Sequence, residues 1–141
     1  MNHGRGGDVR PDQVESLLEQ YHVLDARAPS DLPRRRRRTH PEPHEILAAI
    51  VRADIDRALV LLRQHDEQLW RVIRAVHVIP YPDRTHRDYH EDRHWFAHHQ
   101  VRLRYSLTTR RQLAALDLDC SYGTIWSRCR TAYRLLAQWL A

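Results

Sequence analysis

Apolar residues recur at three- and four-residue spacing along most of this 141-residue chain. The pattern predicts an all-α protein, a helical bundle with a C-terminal helix-turn-helix. Val14, Leu17, Leu18 and Tyr21 form the first stripe, behind Pro11 in a favourable first-turn position, so an N-terminal helix is expected over 11–25. Ile46, Ile50, Ala53, Ala58, Leu61 and Leu62 mark a long helix over 44–63. His65 and Asp66 give a polar start to the next stripe, Leu69, Val72, Ile73 and Val76, which closes a helical hairpin. Pro80 and Pro82 stop it.

Residues 84–105 contain neither Gly nor Pro and can run as one His-rich helix, so 44–105 is expected to hold the hairpin plus that helix. The stretch 106–141 forms the last unit. A short helix is expected over 109–116, opened by Thr109 and Gln112 at capping-box spacing, then a turn over 117–121. A longer helix follows from Tyr122 to about Leu140, with Ser121 as its N-cap. Its buried stripe would be Ile125, Cys129, Ala132, Leu136 and Trp139 or Leu140, with Trp126 one position off it.

Composition changes the picture at the ends. Residues 1–10 hold three of the four glycines and no apolar period, which predicts a flexible tail. Residues 26–43 combine prolines with a run of five arginines at 34–38, the composition of a linker or a basic arm. No apolar run approaches the roughly 20 residues of a membrane span, so the expectation is a cytoplasmic protein with no membrane partner. Cys120 and Cys129 are then expected as reduced thiols.

The formal net charge is +5, and all 23 basic residues are arginine. Residues 93–141 carry eight arginines against two acids, whereas residues 1–92 carry fifteen against sixteen acids. That asymmetry points the C-terminal end at a polyanion. Arg128, Arg130 and Arg134 fall on the last helix, off its buried stripe, as in a helix laid into the DNA major groove.

The segments Val101-Arg-Leu-Arg-Tyr105, Leu107-Thr-Thr-Arg-Arg-Gln-Leu-Ala-Ala-Leu116 and Leu118-Asp-Cys-Ser-Tyr-Gly-Thr-Ile-Trp-Ser-Arg128 resemble region 4 of the sigma-70 family. With Ile55-Asp-Arg-Ala-Leu59 upstream, the chain is also similar to the small phage late-transcription activators built on that domain. Asp119 stands where the family usually has a turn glycine. The resemblance implies a non-catalytic transcription regulator at promoter DNA. Ser121, Tyr122, Thr124, Ser127 and Arg128 would face the groove, while Arg110, Arg111, Arg130 and Arg134 would meet phosphates. The alternative partner is RNA polymerase or a sigma factor, bound without contact to DNA. No cofactor is expected, and the oligomeric state is left open.

One motif points elsewhere. His90-Glu91-Asp92-Arg93-His94 is a literal H-E-x-x-H, in which two His bind zinc and the Glu serves as general base. His86, His90, His94 and His98, four apart, would lie along one helix face, with His98 or His99 as a further ligand. Against a hydrolase stand the charged Asp92 and Arg93 inside the motif, where metalloprotease helices usually carry uncharged residues.

Overall fold

A computed structural model describes residues 9–27 and 42–140, all of whose regular elements are helical. The tail at 1–8 and the greater part of the linker, with its arginine run at 34–38, lie outside the described residues. The helices are α1 (Pro11–Glu19), α2 (Tyr21–Arg27), α3 (Pro43–His65), α4 (Glu67–His77), α5 (Tyr89–His99), α6 (Leu107–Asp117) and α7 (Tyr122–Leu140), with a 3₁₀ helix over Gln100–Arg104. No helix among them is long and apolar enough to cross a membrane.

The core is centred on α4, which touches α3, α6 and α7. Its Trp70, Val72, Ile73 and Val76 are fully buried against Leu59 and Leu62 of α3 and Ile125, Cys129, Ala132 and Leu136 of α7. Burying a side chain of this size contributes about 1.5–3 kcal/mol, so the packed faces outweigh helix propensity here. Asp66 joins α3 to α4 alone: its N–H donates to the Leu62 carbonyl, and its Oδ1 accepts from the Gln68 and Leu69 N–H groups. α3 and α4 pack as a hairpin, with α3 starting one residue before and ending two residues after the 44–63 expected.

Three expectations are corrected. The helix expected over 11–25 is two helices, broken at Gln20, whose φ of −93° and ψ of 0° leave helical geometry. The break lets α2 turn along α3, where the Tyr21 hydroxyl donates to Asp56 at 2.7 Å and His22 Nε2 donates to the Val78 carbonyl at 2.8 Å. The helix expected over 84–105 is only α5. Asp83 Oδ1 takes both the N–H and the hydroxyl of Thr85, and His86 Nδ1 takes the Asp88 N–H, so local side-chain bonds outcompete helix over 83–88. α6 opens two residues early, because Ser106 Oγ and not Thr109 caps it, accepting the Thr109 N–H at 3.2 Å.

Candidate nucleic-acid interface

Two helices and a short turn form the C-terminal end. At the end of α6 the Cys120 N–H reaches the Ala115 carbonyl and the Asp119 N–H reaches the Leu116 carbonyl. This is the bonding of a Schellman stop, with Asp119 in the left-handed region at φ 53°. Aspartate tolerates that conformation better than most residues, so the missing turn glycine does not break the turn. Ser121 then caps α7, its Oγ accepting the Thr124 N–H at 3.1 Å and meeting Thr124 Oγ1 at 2.9 Å. α7 buries Ile125, Cys129, Ala132, Tyr133, Leu136 and Ala137, a stripe wider than the pattern predicted.

The positions left exposed on α7 include Gly123, Ser127, Arg130 and Arg134, which follow at three- and four-residue spacing and share one face. Of the residues singled out from sequence, Ser127, Arg130 and Arg134 therefore come together. Thr131, beside them, donates to the Ser127 carbonyl and accepts from Arg134 Nη2. Ser121 is committed to the cap. Tyr122 and Thr124 are half-buried, and Arg128 sits on another flank, in a shallow groove with Glu67, Gln68, Arg71 and Leu118.

Arg110 and Arg111 are a correction: both are buried, each only 5% exposed, and neither can reach a phosphate. Arg110 is paired with Glu19 and bonds the Val76 and Tyr105 carbonyls. Arg111 is paired with Glu15, and its guanidinium lies 3.9 Å over the Trp126 ring. These two pairs clamp α1 onto α6 across more than ninety residues of sequence. Trp126 thus widens the packed face. It also lines a groove of about 600 Å³ between α1 and α7, with Pro11 and Asp12 on one wall and Arg130 and Arg134 on the other.

Behind the groove runs a buried polar chain. His77 is fully enclosed, with Nδ1 2.6 Å from Glu19 Oε2 and Nε2 2.7 Å from the Tyr133 hydroxyl. Burial lowers the His77 pKa below its ordinary value, so the ring is neutral, donates through Nδ1 to Glu19 and accepts from Tyr133. Partial burial pushes the Glu19 carboxyl upward, but hydrogen bonds from His77 and Arg110 hold it down at about 2. Burial raises the Cys129 thiol to about 11, although Tyr133 is bonded to it. The residue types are those of a Cys-His-acid triad, but Tyr133 stands between thiol and imidazole, and a thiol so raised is a poor nucleophile. The chain acts as a structural tie between α1, α4 and α7. Its members carry no sequence motif; the one signal was Glu15 and Glu19 standing next to Val14 and Leu18 on an apolar helix face.

The H-E-x-x-H segment lies on α5, but its interior residue does the packing. Asp92 is the buried member, bonded to Arg63 Nη1 at 3.1 Å and Arg74 Nη1 at 2.6 Å, while His90, Glu91 and His94 are exposed. His86 lies before the helix, its ring against Tyr81. The four-membered ladder is thus reduced to three residues, of which His94 and His98 meet, Nε2 to Nε2, at 3.1 Å. Among the described residues no group of three or more His, Cys, Asp or Glu is placed to hold a metal ion.

Fold and surface together define an all-α protein with a basic C-terminal helix face. Comparison with protein-family models, with curated proteins and with solved structures finds no match to this chain.

Proposed function

We infer that this chain is a sigma-like, DNA-binding transcription regulator that meets promoter DNA through α7, without catalysing a reaction. The observation that carries the reading is the state of its arginines. Arg110 and Arg111 are consumed by internal carboxylates, whereas Arg128, Arg130 and Arg134 have no acidic partner among the described residues. Arg130 and Arg134 share a face with Ser127 on a helix held rigidly from behind. Guanidinium groups one turn apart and outside any ion pair suit successive phosphates of one strand and draw binding energy from counterion release. Ser127 and Gly123 leave room for the helix to approach base edges. The resemblance of residues 101–128 to sigma region 4 supports the same reading.

The test is fluorescence anisotropy with labelled duplex DNA, titrated across salt in the presence of a chelator. The wild type should bind with a steep negative log-log slope. The Arg130→Ala/Arg134→Ala variant should bind more weakly, with the slope reduced by about 2, one unit for each lost phosphate contact. An unchanged slope would remove α7 from the interface.

A second reading, docking on RNA polymerase or a sigma factor without DNA contact, is favoured by one feature. Ile46, Leu47 and Ile50 stand exposed together on the N-terminal half of α3. Its mark would be co-purification with polymerase after nuclease digestion, by a protein that fails to bind duplex DNA at low salt.

A further inference from the structure

We propose that His94 and His98 form a two-imidazole site for a divalent transition-metal ion on the outer face of α5, independent of the DNA-binding reading. The two side chains lie one helical turn apart and are exposed, with their rings at 74° and their Nε2 atoms 3.1 Å apart. Two ligands on a tetrahedral ion, each at 2.0–2.1 Å, are separated by about 3.3 Å, so the rings already stand close to chelating distance. Without a metal, two facing ring nitrogens require one ring to carry its proton on Nε2 and donate it to the other. Metal binding needs both lone pairs, with each proton on Nδ1, and releases none when both rings start neutral. The donor type selects zinc, nickel or copper over magnesium or calcium. Two coordination positions are left to water or to donors from another molecule.

The sequence motif names a different pair. His90 and His94 have the same spacing, yet the His90 ring packs on Tyr89, and only His94 and His98 converge. Glu91, the general base of a zincin, belongs to the pair that does not converge. The site is therefore one for binding and not for hydrolysis. Its physical effect falls on α5, whose only buried residue is Asp92, so a bridge across the last turns staples a helix with little packing of its own.

The experiment is calorimetric titration of the full chain with zinc chloride, comparing wild type with His90→Ala, His94→Ala and His98→Ala. Chelation makes the second contact intramolecular, so loss of either partner should weaken binding by at least about tenfold. His90→Ala should bind within about twofold of wild type, and zinc should raise the thermal midpoint of wild type but not of His98→Ala. All three positions are exposed, and far-UV circular dichroism verifies that each variant folds. Absence of saturable binding to the wild type overturns the proposal. Equal affinity in all four proteins does so too, as does a His90→Ala loss as large as that of His94→Ala.

Discussion

A carboxylate taken out of water needs its counter-charges at hydrogen-bond distance, and Asp92 has two of them. Arg63 and Arg74 converge on it from α3 and α4, Arg74 is stacked 4.4 Å over Trp95, and Arg63 also holds Asp88 at 2.9 Å. Burial lowers the Arg74 pKa, and Asp92 is what keeps that cation acceptable in its setting. Asp92→Ala should therefore destabilise the protein by about 3–5 kcal/mol, because it leaves the largely buried Arg74 without a carboxylate, while Arg63 keeps Asp88. Chemical denaturation measures the loss; a cost below about 1 kcal/mol would show that solvent already screens the cluster. The same logic separates the arginines of α6 from those of α7. A guanidinium facing a carboxylate inside the protein stabilises the fold, and one facing solvent is free for a ligand.

Helix ends were set by single polar side chains competing for backbone groups. At α6 the cap is Ser106, with Thr109 as the donor of the N–H it accepts. Ser106→Ala should cost about 1 kcal/mol in urea melts, and Thr109→Ala only a few tenths. The reverse order would restore the later start expected from sequence. α4 ends at Val78, a β-branched residue in the left-handed region at φ 54°. That conformation costs about 1–2 kcal/mol, and complete burial of the valine side chain offsets it. α5 shows the converse case: with one buried residue it lacks the apolar face that sustains a long helix, and it stops where the 3₁₀ segment begins.

Across the whole molecule, α1 is held to the C-terminal helices by the pairs of Glu15 and Glu19 as well as by Val14 and Leu18, so its docking depends on pH. His77 is kept neutral below its ordinary value of 6.5, which means the unfolded chain takes up a proton first as pH falls. Stability present above about 6.5 is lost below it. Glu19 has the same sign: its folded value of about 2 lies under the ordinary 4.5, so a second loss occurs between those two values. Denaturation midpoints should decline in two stages, and Glu19→Gln should remove the lower one. Equal stability at about pH 7 and about pH 3 would contradict the assignment. The outward arginines of α7 take no part in this network.

The sequence by itself determined the helical class, the hairpin of α3 and α4, the buried stripe of α7 and the cap at Ser121. Each of these is written in short-range periodicity or in a side chain bonding backbone three residues away. The exposed Ser127, Arg130 and Arg134 were legible for the same reason, since a stripe that buries one face leaves its opposite outside. Which arginines are spent internally was not legible. Arg110 and Arg111 differ from Arg130 and Arg134 only in meeting Glu19 and Glu15, and that meeting joins positions more than ninety residues apart. The break at Gln20, the enclosure of His77 and the choice of His98 over His90 as the neighbour of His94 are of the same kind. They depend on where packed helices bring charges and rings together, and only the tertiary structure fixes that, because desolvation and Coulomb attraction act on distance in space and not on separation along the chain.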